Sequence, residues 1–317
     1  MQKLRLLLAT LFFVISIQFA FAQKFTIPVF PDTQNEVESN VPMFRSQLYW
    51  IVNNAKQLNV PIVLHVGDIT NAALPDQGQW KTASNGFQIL DSARISYALT
   101  LGNHDNASFR PRSLPPYTGE QPTLRNTIDF NQFFPVSRFT AQKERYEAGK
   151  SDNAWYTFKA GGLNWAVLTL EYNVRPGAVE WANKIITDNP KSNVIVLTHY
   201  HLTSTGTIGE NAMRGTDLNP ISVYNQMIKI HPNVLMVLSG HVCFSAHRDD
   251  IGTNGNHIYQ MLQDYQGEKG GNGYLRLLEI DTKAGTIAAK MFSPFLNQAK
   301  TDTSQFVISN VKFIGKK

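Results

Sequence analysis

From Phe25 onward the chain sets short apolar blocks against polar clusters: FTIPVF runs into PDTQ, PIVLHV into GDITN, ISYALTL into GNHD, VIVLT into HYH, and VLMVLS into GHVC. Continuous apolar runs of this length predict strands buried on both faces, because a strand with one wet face would alternate. Between the runs the period changes. Phe44, Leu48, Ile51, Ala55 and Leu58 recur at helical spacing and predict a helix over roughly residues 43–59. Pro176-Gly177 opens a second predicted helix through Trp181 and Ile185, and Asn219-Pro220 starts a third in NPISVYNQMIKIHP. Buried strands alternating with amphipathic helices predict an α/β fold. After Asn256 come strands alone, HIYQMLQ, YLRLLEID, TIAAKMF and QFVIS, which predict antiparallel strands completing a second sheet of the same domain.

Residues 106–153 break this rhythm with Pro111, Pro115, Pro116, Pro122, Pro135 and the aromatic patch FNQFFP. Two readings stand: a wall or lid over a site, or a surface excursion anchored by Phe133 and Phe134.

The first 22 residues change the picture of where the chain works. Lys3 and Arg5 precede an apolar run ending in Ala20-Phe21-Ala22, the pattern of a secretory signal peptide cut before Gln23. A retained anchor is the alternative, but the run is short for a span and carries Thr10, Ser16 and Gln18. The expected mature chain, 23–317, is a single domain with no membrane anchor, secreted or periplasmic. Its length suits one full core. Loss of Lys3 and Arg5 lowers the formal charge from +5 to +3, too small a bias to imply nucleic acid or a membrane surface. The single cysteine, Cys243, cannot form an internal disulfide and is expected to be buried, liganded or open to oxidation.

In α/β sheets functional groups gather beyond the carboxyl ends of the strands. Those ends offer Asp32 with Gln34, Asp68 with Asn71, Asn103 with His104 and Asp105, His199 with His201, and His241. Oxygen and imidazole donors of this kind suit hard or borderline divalent cations. Gly67, Gly102 and Gly240 precede three of the clusters and are expected to let the backbone turn sharply. A single Asp there is an ordinary helix cap and a single His an ordinary core residue. Five such strand ends together predict a metal site.

PDTQ, GDITN, GNHD, THYH and GHV, in this order from Asp32 to Cys243, resemble the motif series of the calcineurin-like metallophosphoesterases. GNHIYQMLQDYQ, GGNGYLRLLEID and TDTSQFVIS are similar to a secreted bacterial subgroup of that superfamily. The resemblance implies a four-layer αββα sandwich of two mixed β-sheets flanked by helices, with a two-metal centre. It implies that Asp32 binds the first metal, that Asp68 bridges both, and that Asn103, His199 and His241 complete the second. It further implies that His104, paired with Asp105, contacts the phosphoryl group and helps protonate the leaving oxygen. Two cations ~3.5–4 Å apart can hold a phosphoester, generate hydroxide and stabilise the departing oxygen. An imidazole oriented by a carboxylate suits proton donation near neutral pH. The expected function is therefore metal-dependent hydrolysis of a phosphorylated substrate, with two divalent ions drawn from Mn, Fe, Zn or Ni. A non-catalytic domain binding phosphorylated or glycan ligands and a mononuclear enzyme are the alternatives.

The chain departs from the family pattern twice, and both departures fall on the first metal. Asp-x-His is here Asp32-Thr33-Gln34, and Gly-His-x-His is here Gly240-His241-Val242-Cys243. Gln34 can offer a carbonyl oxygen, which suits harder ions, or a hydrogen bond to Asp32. Cys243 stands between thiolate ligand, nucleophile and small residue beside the site. His247 is either a substitute ligand or a loop residue. His201, two after His199, would face the same side on an extended segment and touch substrate, or make a structural hydrogen bond. Tyr265 and Gln266 are candidates to line the cleft, His65 reads as core or support, Asn71 supports Asp68 or caps the next segment, and His231 and His257 receive no role.

Overall fold

The computed structural model describes residues 23–72, 77–107, 109, 124–211 and 215–316; the expected signal peptide, residues 1–22, lies outside them. The first half runs β1 (Lys24–Phe30), α1 (Gln34–Ser39), α2 (Val41–Asn54), β2 (Val63–His65), α3 (Gly78–Ser92), β3 (Tyr97–Leu99), α4 (Ile128–Phe133) and β4 (Gln142–Arg145). It continues with β5 (Ala154–Ala160), β6 (Leu163–Leu170), α5 (Pro176–Asp188), β7 (Asn193–Thr198), α6 (Pro220–Gln226) and β8 (Val234–Ser239). The chain closes with β9 (Phe244–Ile251), β10 (His257–Asp264), β11 (Leu275–Asp281), β12 (Thr286–Ser293), β13 (Gln298–Ala299) and β14 (Phe306–Ile308).

These strands form two mixed sheets. One has the order β13-β12-β11-β1-β2-β3, with β14 also on β12; the other has the order β4-β5-β6-β7-β8-β10-β9. The parallel pairs are β1–β2, β2–β3, β6–β7, β7–β8 and β8–β10, so the ends carrying the polar clusters share one edge of each sheet. Along β7, Ile195 and Leu197 face the core between the sheets, while Val194 and Val196 face α5 and α6. Both faces are dry, and that is why the run is continuously apolar. Outside the first sheet Phe44 of α2 and Phe87 of α3 pack on Phe30, with ring centroids 6.2 and 5.9 Å away. Truncating Phe87 to alanine would cost about 3–5 kcal/mol. Two mixed sheets flanked by helices is the architecture the sequence predicts.

Three details differ from expectation. The helix predicted over 43–59 ends at Asn54, where the chain leaves α2 in a turn that Asn59 closes at φ 50°. Helix α3 was not anticipated, although Trp80, Ala83, Phe87 and Leu90 form its buried stripe. The late strands do not build one sheet together: β10 joins the second sheet beside β8, whereas β11 to β14 extend the first from β1. In the 106–153 stretch the anchors are Phe130 and Phe134, both buried against Trp80, while Phe133 is only partly buried. No helix among the described residues is long and apolar enough to cross a membrane.

Candidate metal centre

The loops after β1, β2, β3, β7 and β8 converge, and backbone bonds lock them together. Thr33 N–H donates to the Asp68 carbonyl at 3.0 Å, and Gly240 N–H to the His199 carbonyl at 2.9 Å. Asp68 and His241 both sit at positive φ, 52° and 73°. Non-glycine residues take up that strained region mainly where surrounding structure forces it, and such positions cluster at functional sites. Gly67, at φ +99°, turns the chain as expected. Gly102 and Gly240 serve space instead: a Cβ at 102 would lie 1.9 Å from Asp68 Oδ1, and one at 240 would lie 2.0 Å from Asp32 Oδ1.

Asp68 is the hub. Its Oδ1 accepts the His104 N–H at 2.9 Å and lies 3.3 Å from His199 Nε2; its Oδ2 accepts the Gln34 amide at 3.0 Å. Burial alone would raise its pKa, but His199 and His104 outweigh that and hold it down at about 2. Burial pushes the His199 ring down while Asp68 pulls it up, and the net shift is upward. His199 Nδ1–H donates to the Val66 carbonyl at 2.9 Å, which leaves Nε2 facing Asn103 Oδ1 at 3.2 Å and His241 Nδ1 at 3.2 Å. Burial and His199 push His241 down to about 3. Four lone-pair donors from Asp68, Asn103, His199 and His241 therefore point at one another. The ligand atoms of Asp68, His199 and His241 all lie within 4.8 Å of one another. A divalent cation satisfies that donor set, so the residues present fit the metal that the fold implies.

Asp32 is buried and accepts the His241 N–H at 3.0 Å. Burial, then Asp264 and Asp68, push its pKa well up. Gln34 is buried too; its amide donates to Asp68 rather than to Asp32, and its Oε1 has no partner.

The structure rearranges the remaining candidates. Asp105 does not pair with the His104 ring. It accepts the N–H groups of Gly102 (2.8 Å) and Thr70 (2.9 Å), clamping two motif turns, and burial with Asp68 raises it to about 6. His104 Nδ1–H donates instead to the Asn71 carbonyl at 2.8 Å, and its ring packs against that of Phe109 at a tilt of 34°. His201 makes the structural hydrogen bond: it is buried, with Nε2 2.6 Å from Gln260 Oε1, and burial lowers it to about 4. Strand β7 ends at Thr198, so strand alternation does not carry from His199 to His201. Cys243 is half-buried against Gly267, and burial followed by the Asp264 charge pushes its thiol up. A thiol kept protonated is a poor ligand and a poor nucleophile.

His247 lies on β9, stacked on Phe306 at 3.8 Å, rather than in a loop. Tyr265 packs on Tyr274 beneath Lys300, away from the role of cleft lining. His65 is buried support, joined to Thr33 Oγ1 at 2.9 Å and accepting Gly67 N–H at 3.1 Å. Sequence reasoning missed Asp264, at the end of β10, and the rings of Tyr172 and Tyr200, which approach His241 to 5.6 and 4.9 Å. Tyr172 and Asp264 also follow strand ends, so the same rule would have found them.

A helix-flanked pair of mixed sheets thus carries carboxylate, amide and imidazole donors that converge beyond the strand ends. Residues 27–244 match the model of the calcineurin-like phosphoesterases, and the chain belongs to that family. An uncharacterized protein of Bacillus subtilis, YvnB, is 30% identical over 290 residues, covering 86% of this chain and 20% of its own length. The chain thus spans about a fifth of that relative. Among solved structures, a dimetal phosphatase from Danio rerio superposes with a TM-score of 0.57 at 12% identity, covering 90% of this chain and 98% of its own. GAP50, the anchor in the inner membrane complex of Plasmodium, superposes with a TM-score of 0.50 at 10% identity, covering 92% of this chain and 90% of its own. At such identities the two structures bear on fold alone.

Proposed function

We propose that this chain is an exported phosphoester hydrolase that works with two divalent cations and transfers the phosphoryl group directly to water. The convergence of Asp68, Asn103, His199 and His241 donors on one point carries the reading. Asp68, Asn103, His199 and His241 would hold one cation, and Asp32, Gln34 and Asp68 part of the set for the other. Bound there, divalent cations supply Lewis acidity toward the phosphoryl oxygens and toward the attacking water.

The chain's own residues supply the rest. His199 is fixed in one tautomer by the Val66 carbonyl, so its Nε2 stays aimed into the centre. His104 is fixed by the Asn71 carbonyl, leaving Nε2 at the half-exposed mouth, 3.8 Å from Asp68 Oδ2. In its imidazolium form that Nε2–H is placed to donate to the departing ester oxygen as the P–O bond breaks. Phe109 covers the ring and limits its swing. Export is supported by the N-terminal pattern of Lys3, Arg5 and Ala20-Phe21-Ala22.

The test is hydrolysis of p-nitrophenyl phosphate and bis-p-nitrophenyl phosphate by the purified chain with Mn, Fe, Zn or Ni. Asp68→Ala and His241→Ala should each abolish turnover; an Asp68→Ala protein with full activity would end the reading. Saturable binding of phosphate esters without hydrolysis under every metal would favour the binding-domain alternative. Expression behind its own leader should give an exported protein beginning at Gln23.

A further inference from the structure

The first cation lacks the two histidines that the family pattern would give it, and within the motif series Gln34 alone offers an oxygen in their place. We propose that Asp264, at the carboxyl end of β10, supplies a ligand to that cation and makes the first site an oxygen-only site of Asp32, Gln34, Asp68 and Asp264. The inference rests on the two-cation reading above.

The chain on either side of Asp264 is stitched to the chain on either side of Asp32. Gln263 Nε2 donates to the Val29 carbonyl at 3.2 Å, and Asn35 Nδ2 to the Gln266 carbonyl at 3.5 Å. These bonds bracket the 32–34 turn against residue 264. The Asp264 carboxylate is buried, yet no lysine or arginine pairs with it among the described residues. It accepts from the Gln266 N–H (2.9 Å) and the Gln266 side-chain amide (3.0 Å). Its charge is the largest charged contribution acting on Asp32, and Asp68 acts on both. Three buried carboxylates thus share one corner of the centre with no basic side chain among them.

An independent observation points to what belongs there. Gln34, buried and bonded through its amide to Asp68, carries an Oε1 with no partner at all. A half-turn of that amide presents the oxygen to the cation that Asp68 would share. Carbonyl and carboxylate oxygens without nitrogen or sulfur favour Mn or Mg over Zn. Cys243 stands one residue before β9, whose first residue, Phe244, pairs with Asp264.

The experiment counts manganese in the full chain. After loading with Mn and gel filtration, wild type should hold two ions per chain, Asp264→Asn one, and Cys243→Ser two. Calorimetric titration should show the first site of Asp264→Asn weakened about 10-fold or more. Folding is checked in EDTA, where Asp264→Asn should melt no lower than wild type, since it relieves like-charge crowding; Asp264→Ala serves as the second variant. Two tightly held ions in both Asp264 variants would overturn the inference while leaving the two-cation reading intact. Loss of the first ion in Cys243→Ser would assign the ligand to the thiolate and overturn it as well. A wild type that holds at most one ion would overturn both readings.

Discussion

The backbone N–H of His241 donates to the Asp32 carboxylate at 3.0 Å, across 209 positions of chain. The contact needs an open approach, and Gly240 keeps it open: an added methyl would meet Asp32 Oδ1 at 2.0 Å and Val66 Cγ2 at 2.7 Å. Gly240→Ala should therefore lose about 1–3 kcal/mol of stability by overpacking. It should also bind less metal, measured by thermal melting and elemental analysis. Wild-type metal content at an unchanged melting temperature would show that the clearance is not what holds Asp32.

His104 and Asp105 are neighbours in sequence with separate partners, and their variants should separate accordingly. Asn71 fixes Nδ1 of His104, and in the proposed hydrolysis His104 would give the leaving group its proton. His104→Asn should cut kcat for an alkyl phosphate by about 10²–10⁴ and much less for p-nitrophenyl phosphate, whose leaving group needs no proton. Asp105→Asn disturbs the clamp on Gly102 and Thr70, so it should lower the melting temperature and leave the ratio of the two rates unchanged. An equal fall in that ratio for both variants would restore a role for Asp105 in orienting His104.

The strand ends were legible because each apolar run stops abruptly at a ligand-type residue, and burial on both faces forces such runs. Asp264 escaped because HIYQMLQ reads in sequence as one of the antiparallel strands, whereas β10 runs parallel to β8 and so ends at the site; its Gln260 and Gln263 give no hint of that pairing. Both are buried for polar reasons, one bonded to His201 and the other to Arg276 and Val29. Helix α3 escaped because Gly78, Ser84, Asn85 and Gly86 dilute its stripe with residues of low helix propensity. The His104–Asp105 pairing was misjudged because adjacency in a turn says nothing about side-chain direction. Of the two readings of His201 the structural hydrogen bond holds, because parity counting applies only inside a strand and β7 has already ended. Motif spacing can place residues in one corner of a fold, but hydrogen-bond partners depend on the loops between them.

Arg276 is fully buried in β11 and ties the two sheets together. It donates to Gln263 Oε1 on β10 (2.6 Å), Ser245 Oγ on β9 (3.0 Å) and the Ser304 carbonyl (3.1 Å). Arg276→Ala would leave a cavity and buried acceptors without donors, at about 3 kcal/mol or more. Arg276→Met fills most of the volume and should cost less. Urea denaturation of both variants checks the order, and an alanine variant as stable as wild type would show that the clamp adds nothing.

Glu36, two residues after Gln34 on α1, forms a buried polar pair with Gln47. Gln47 Nε2 donates to Glu36 Oε1 at 3.4 Å, while Glu36 Oε2 and Gln47 Oε1 have no partner. Both gaps close when Glu36 is protonated and its O–H donates to Gln47 Oε1, and burial does hold its pKa well above the usual carboxylate value. The unfolded chain releases that proton at the usual value, so the folded state binds more protons between the two. The contribution to stability is fully present below the unfolded pKa and is lost as pH rises through the folded one. Glu36→Gln removes the titration and keeps the shape. In EDTA, the fall in urea midpoint between pH 5 and pH 8 should be smaller in Glu36→Gln than in wild type. Asp32, Asp105 and Asp264, also raised, contribute with the same sign to both proteins and cancel in the comparison. Parallel pH profiles for the two proteins would mean that Glu36 does not hold its proton in the folded chain.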